Sequence, residues 1–208
     1  MSKKTKILLI LIGILLVISV GLLMIVFFNK KETPLQTKEV MEQIEGYNYT
    51  LDSLDSTLFK NEFNELKKIL NESEINYEDY AKSIAKLFAI DLYSISTKIN
   101  RSDVGGTEYI YSTKQELYKA KIMDTMYKEV KDNSSKNRVQ ELPLVNNVEI
   151  TDFKESEYKL GEEHVNSYEI QVSISYEKED GYDSKIKIIL VKEDKKISIV
   201  EFEPTKED

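Results

Sequence analysis

Near the amino terminus, residues 7–28 read "ILLILIGILLVISVGLLMIVFF", a run without a single charge and broken only by Gly13, Ser19 and Gly21. Wound as an α-helix at about 1.5 Å per residue, it reaches across a hydrocarbon core of about 30 Å. A helix that is apolar all round belongs in a large protein core or a membrane, so the run predicts a single transmembrane anchor. A cleaved secretion signal is the competing reading. Such signals carry a shorter apolar region, about 7–15 residues, followed by a small-residue cleavage site, and this run fits neither. Lys3, Lys4 and Lys6 precede it, whereas Lys30 and Lys31 are followed at once by Glu32. That bias places residues 1–6 in the cytoplasm and the rest of the chain outside it. Gly13 and Gly21 lie eight apart and form no GxxxG pair, so the helix is read as lipid-facing.

Charge divides at the anchor. Residues 1–31 hold five Lys and no acid, which leaves 24 basic and 37 acidic side chains beyond them, a net of −13. A body that acidic is repelled by phosphate backbones, which excludes nucleic acid as a partner. The chain has no Cys, and therefore no disulfide, zinc thiolate site or thiol nucleophile.

Residues 29–45 are polar, contain Pro34, and read as a stalk with at most a short helical stretch around Val40 to Ile44. The remainder, 46–208, reads as an extracytoplasmic α+β domain, helices first. Tyr47, Tyr49 and Leu51 alternate as in a short strand. Asp55 is a candidate cap for a helix over 56–70, in which Phe59, Phe63, Leu66 and Leu70 share a face, with Asn71 as its stop. A second helix is expected over 77–99, capped by Asn76, with Glu78 and Asp79 in its first turn. Tyr77, Ala81, Ile84, Phe88, Leu92, Ile95 and Ile99 make its stripe, broad enough for the central helix of a core. Asp91 interrupts that stripe. Placed one turn beyond Phe88, its carboxylate must be bonded or paired, because an unpaired one costs several kcal/mol (order of magnitude).

Beyond Asn100, "RSDVGG" has to reverse the chain, and two of its seven glycines, Gly105 and Gly106, stand there side by side. Glycine accepts positive φ without penalty, and consecutive amides in such a turn can form an anion-binding nest. The expectation is that Asp91, Asp103 or both accept these loop N–H groups and lock the reversal; the same four residues would frame a ligand-binding loop if there is one. A short strand over 107–111 follows, then a helix over 113–132 with Ser112 and Gln115 as a capping box and Ala120, Met123, Met126, Tyr127 and Val130 as its stripe.

From residue 144 the period changes to two. "LVNNVEITDF" (144–153), the alternation Tyr168 to Tyr176, "SKIKIILVK" and "ISIVEFE" read as strands, joined by turns at 179–182 and 193–196. The apolar face of this meander requires cover, and the upstream helices supply it. The single His, His164, lies in the polar stretch "LGEEHVNS" and reads as a solvated surface residue. No cofactor or metal site is expected, since the charged turns lack the periodicity of a calcium loop.

The order of helices and then a long antiparallel meander, over roughly 45–203 and behind one span, resembles the cone-shaped nuclear-transport-factor-like fold. It also resembles the membrane scaffold subunits of type IV secretion and conjugation machines. At the level of residues, "YAKSIAKLFAIDLYSISTKINRSDVGG", "MDTMYKEVKDN" and "QELP" look like a family of uncharacterised single-span proteins of low-GC Gram-positive bacteria. The resemblance implies the anchor and the fold and carries no catalytic residues. Taken together, the expected function is that of a membrane-anchored, non-enzymatic interaction or scaffold module of an envelope or secretion-type assembly. Its partners would be the bilayer, through 7–28, and other envelope proteins, with the oligomeric state left open. A small-ligand binder with its pocket near Asp91 is the alternative, and an acid–base enzyme the third. An apolar cavity with one carboxylate would favour the binder; a filled core with an exposed apolar patch would favour the assembly protein.

Overall fold

A computed structural model describes residues 3–28, 35–178 and 181–205. The chain divides into two compact units, Met1–Leu35 and Gln36–Asp208. The first is one helix, α1 (Lys3–Phe28), 26 residues in length and so about 39 Å long. Its apolar residues spread round the axis with no polar face, and Leu15 and Val17 among them are exposed. Side chains are described chiefly between Ile12 and Met24, and among the described residues no helix is long and apolar enough to cross a membrane.

The second unit begins earlier than the composition suggested. Residues 29–34 of the expected stalk lie outside the described residues, and from Gln36 on the chain belongs to the body. Val40–Ile44 is strand β1, where a short helical stretch was expected. It pairs antiparallel with β2 (Tyr49–Asp52) through a turn in which Gly46 and Asn48 take positive φ. Tyr49 and Leu51 face inward with Ile44, so burial of this face decides the conformation.

Helix α2 (Thr57–Leu70) buries the expected Phe59, Phe63, Leu66 and Leu70 and is capped at its end by Asn71. Its N-cap is Ser56, whose hydroxyl accepts the Phe59 N–H at 3.1 Å. Asp55, the expected cap, turns the other way and accepts the Asp52 N–H at 2.6 Å. Replacing Ser56 with Ala should therefore lower stability by about 1 kcal/mol, a drop of about 2–4 °C in the melting temperature of a body this size.

Helix α3 (Tyr77–Tyr93), capped by Asn76 as expected, is the hub of the core: Tyr80, Ala81, Ile84, Leu87, Phe88 and Leu92 are all fully buried. It ends six residues before the stripe does. Ser94 leaves the helix, and a 3₁₀ turn over Ile95–Thr97 takes its place, with the Thr97 hydroxyl bonding the Ser94 carbonyl at 2.8 Å. Hydroxyls that bond nearby carbonyls compete with helix continuation, and Tyr127 completes the end by donating to the Leu92 carbonyl at 2.6 Å.

The expected strand over 107–111 is a 3₁₀ turn (Thr107–Tyr109) plus one parallel bridge, Ile110 to Ile199. The expected helix over 113–132 shrinks to a 3₁₀ turn (Ser112–Lys114) and α4 (Gln115–Asp124). No capping box forms: the Ser112 N–H goes to Glu193, and Gln115 donates to the Ile110 carbonyl. The buried pair on α4 is Tyr118 and Ile122, whereas Ala120, from the expected stripe, is exposed. Tyr127 and Val130 are buried from the turns after the helix.

Four strands then make one antiparallel sheet in sequence order: β3 (Val145–Leu160), β4 (Glu163–Tyr176), β5 (Lys185–Glu193) and β6 (Lys196–Pro204). The body is therefore α+β, helices followed by a meander. Register lines apolar residues up across the sheet, Phe153 opposite Ile170, Ile170 opposite Ile188 and Ile188 opposite Phe202, and α3 packs against β3, β4 and β6. β3 is longer than its apolar pattern. Its second half forms a hairpin with β4 that continues past the end of β5, and His164 sits there, exposed, opposite Lys159. Buried tyrosines tie the layers: the Tyr49 and Tyr80 hydroxyls lie 2.8 Å apart, and Tyr80 accepts the Ile197 N–H of β6.

Candidate functional site

Asp91 occupies the last turn of α3, where the sequence places a carboxylate in an apolar arc. The residue that answers it is Lys98, just past the 3₁₀ turn. Its side chain is wholly buried, and its ammonium donates to Oδ1 of Asp91. The second oxygen, Oδ2, accepts the Gly106 N–H at 2.5 Å, so Asp91 does bind the reversal. Burial alone would push the Asp91 carboxyl up, but Lys98, Lys38 and the Gly106 amide together hold it below the usual carboxylate range. Burial would likewise lower Lys98, and Asp91 overrides it upward. Both groups are ionised, an ion pair whose ammonium is wholly buried and whose carboxylate is partly exposed.

The neighbouring loop is held by similar means. Asp103 accepts the Ile99 N–H at 2.9 Å with one oxygen and pairs with Lys38 at 2.8 Å through the other. Arg138 donates to the Ser96 and Lys98 carbonyls, both at 2.9 Å. The two glycines have separate reasons to be there. A Cβ on Gly105 would lie 2.1 Å from the Asp91 carbonyl oxygen, whereas Gly106 has φ +76° and a Cβ there would meet the Phe88 ring at 2.7 Å. Tyr118 closes the arrangement by donating to the Gly105 carbonyl at 2.6 Å. Asp91, Asp103, Gly105 and Gly106 are thus brought together, and the pair of glycines is explained by close packing at one and a left-handed backbone at the other.

On the outer side of this lock lies an open cleft of about 560 Å³, lined by Asp91 and Asp103 and further by Lys38, Asp52, Asp55, Glu108, Lys119 and Lys196. Its polarity departs from the apolar cavity that the binder reading anticipates. Lys98, Lys38 and Glu108 were not singled out in the sequence, and Asp55 was singled out only as a candidate helix cap. Lys98 sits at a helical spacing of seven from Asp91, a signal hidden by the end of α3 between them. Glu108 lies in the loop expected to be a strand, and its oxygens accept the Thr50 N–H at 3.2 Å and the Thr50 hydroxyl at 3.0 Å, fastening that loop to β2. Lys196 stands over the Tyr49 ring, 4.4 Å from its centroid.

Among the described residues, Asp55 and Glu108 of the cleft form no salt bridge. Burial, with a smaller contribution from Asp91, pushes Glu108 up to about 7, against the lowering effect of Thr50. Burial likewise pushes Asp55 up to about 6, with the Asp52 N–H and Lys98 opposing and Asp91 adding. Each holds a proton in the folded body at a pH where the unfolded chain has lost it. Their stabilising effect is therefore complete below about pH 4 and is lost as pH rises through about 6 and about 7. Asp91 works in the opposite sense, since its contribution disappears as pH falls below the ordinary Asp value. The melting temperature should accordingly rise between pH 8 and pH 5 and fall again in stronger acid. The rise amounts to at most about 2–3 kcal/mol per group. Glu108→Gln should flatten the limb between pH 5 and pH 8, and an unchanged limb in that variant would refute the assignment.

Chemically, the cleft can hold amino groups against Asp55, Asp52 and Glu108. Among the described residues no group of three His, Asp or Glu side chains is placed to hold a metal ion. A second, mostly apolar groove of about 300 Å³ runs between α4 and β6, lined by Ile110, Leu117, Tyr118, Val200 and Phe202. No family model, no curated protein and no solved structure matches this chain.

Proposed function

We propose that the chain is a single-span membrane protein whose body works outside the cytoplasm as a non-enzymatic interaction module of an envelope or secretion-type assembly. One observation carries the reading: a continuous helix of 26 residues, containing the uncharged run 7–28, leads into a separate compact body. The sequence stays uncharged from Ile7 to Phe28. A water-exposed helix of that composition would leave a large apolar surface uncovered, and a bilayer covers it. The filled core, with Phe63, Phe88 and five tyrosines fully buried, leaves little interior space for a ligand. The groove between α4 and β6, where Leu117 is 75% exposed, is a surface suited to a protein partner. A cone-like fold of the secretion-scaffold kind agrees with the helices-then-meander order and adds no residue-level role.

Because the chain has no Cys, single-cysteine labelling gives a clean test. Val139→Cys in intact cells should react with a membrane-impermeant maleimide, and the protein should stay in the membrane pellet after alkaline extraction. A soluble protein, or labelling only after lysis, would overturn the reading.

The cleft at Asp91 favours a second reading, a binder of small polar ligands that carry amino groups. Asp52, Asp55 and Glu108 offer carboxylates to such a ligand. Spermidine, arginine and a neutral polyol, compared in thermal-shift titrations, would separate the two. A melting-temperature rise with the amines alone, lost in Asp55→Asn, supports the binder.

A further inference from the structure

The cleft beside the Asp91 lock holds more charge than its own pairings use. Asp91 is answered by Lys98, Asp103 by Lys38 and Lys119 by Glu116, and Lys38 also reaches Asp52 at 4.0 Å. Among the described residues, three charged groups of the lining form no ion pair: the Asp55 and Glu108 carboxyls and the Lys196 ammonium. Each is held in place without being used up. Asp55 takes the Asp52 N–H on Oδ2 at 2.6 Å, and its Oδ1 takes no hydrogen bond among the described residues. Glu108 takes the Thr50 N–H and hydroxyl, and a carboxylate offers about four lone-pair sites. Lys196 lies over the Tyr49 ring, and among the described residues it donates only to the Glu108 carbonyl, at 3.4 Å. That falls short of the donors an ammonium carries.

We propose that the cleft binds a free basic amino acid such as arginine, its two cationic groups on Asp55 and Glu108 and its carboxylate on Lys196. The proposal rests on the second reading above, a binder of amino groups, and adds the anionic half of the ligand. Two open carboxyls and one open ammonium are the charge complement of a molecule with two cationic groups and one carboxylate. A basic residue at the C-terminus of a peptide carries only one of those cationic groups, so the free amino acid is the better match. The three groups come from separate elements: Asp55 from between β2 and α2, Glu108 from the loop after the reversal, Lys196 from the start of β6. Their own hydrogen bonds fix them beforehand, so little has to be ordered on binding. The cleft, about 560 Å³, is within the range of small-molecule sites, about 300–1,000 Å³.

The general field of the body cannot imitate this pattern. A net of −13 beyond residue 31 favours the more cationic of two amines, and so favours agmatine, which is arginine without its carboxylate. A preference for arginine over agmatine runs against that field and requires a cation in the site. Binding should also displace protons. The empty cleft raises Glu108 to about 7 and Asp55 to about 6, and a bound cation favours both ionised forms. The charged groups facing Asp55 are Asp91, Lys98 and Asp52; Asp91 and Lys196 face Glu108, with the Tyr49 and Tyr109 hydroxyls. Arginine should therefore bind about tenfold more tightly at pH 7.5 than at pH 5.5.

The test is titration calorimetry on the full-length chain in detergent, with arginine, agmatine, Nα-acetylarginine and citrulline at pH 7.5. Each of the last three lacks one charge, so arginine should bind at least about tenfold more tightly than any of them. Lys196→Gln should bring arginine down to the level of agmatine without weakening agmatine, whereas Asp55→Asn should weaken both. The four ligands on the native chain decide the proposal by themselves if a variant fails to fold. Agmatine that matches arginine would overturn the amino-acid site and leave the amine binder standing. Nα-acetylarginine or citrulline that matches arginine would remove one of the two carboxylate contacts and overturn the site as well. No binding by any of the four would overturn both readings of the cleft.

Discussion

Asp91→Ala is expected to destabilise the body by about 3–5 kcal/mol, because it leaves the Lys98 ammonium buried without its counter-charge. In a body of this size that is a fall of roughly 10 °C or more in melting temperature, readable in detergent solution by calorimetry or circular dichroism. The pair itself is a different quantity from either of its halves. Removing both charges, Asp91→Ala with Lys98→Met, should recover much of the loss, since burying two ions is costly to begin with. The double variant should still fall short of the native chain by about 1–3 kcal/mol, because the Gly106 N–H loses its acceptor in either case. An Asp91→Ala chain that melts with the native one would mean that Lys98 reaches water and that the lock described above does not exist.

Gly105→Ala should be nearly as damaging for an unrelated reason. The added methyl would overlap the Asp91 carbonyl oxygen, with the Lys98 Cε only 3.0 Å away. The nearest atoms belong to a helix backbone, which cannot swing aside as a side chain does. Overpacking of this sort costs about 1–3 kcal/mol when neighbours can give, and more when they cannot. The loss should therefore exceed about 3 kcal/mol and appear in equilibrium urea unfolding as a lower midpoint with an unchanged slope. Gly106→Ala combines a left-handed backbone with an overlap on the Phe88 ring, which can shift, so the smaller penalty belongs there. A reversed order of the two variants would show that backbone conformation, and not contact, dictates the glycine at 105.

These residues also mark what could be read from the chain alone. Asp91 stood out because it broke an apolar stripe, and a charge inside such a stripe has to be answered by something nearby. Lys98 did not stand out, since its position relative to Asp91 depends on where α3 stops, and that is settled by the Thr97 hydroxyl, which bonds the Ser94 carbonyl, and by Tyr127, which arrives from another element. The period-two strands β4, β5 and β6 were legible because one face is buried along most of their length. β1 was not: five residues with a bulge and one inward apolar side chain carry no recognisable period, and only the pairing with β2 defines it. The early end of α4 has the same character, because the residues that bury, Tyr118 and Ile122, were masked by a competing stripe at Ala120, Met123 and Tyr127. Glu108, finally, is one carboxylate among 37 acids; nothing local separates it from the solvated ones until tertiary structure closes over it.

The reversal after α3 has a dynamic consequence. Loops ordinarily exchange their amide hydrogens with solvent through small local openings, far more often than the whole domain unfolds. Here the amide of Gly106 is clasped by a carboxylate that is itself held by a buried ammonium, while the carbonyl next to it is gripped by Tyr118. No small excursion frees one of these bonds without breaking the others. In deuterated buffer the Gly106 hydrogen should therefore outlast those of the hairpin tip around Gly161 and persist as long as the slowest hydrogens of β5, so that a stretch with neither helix nor strand keeps time with the sheet.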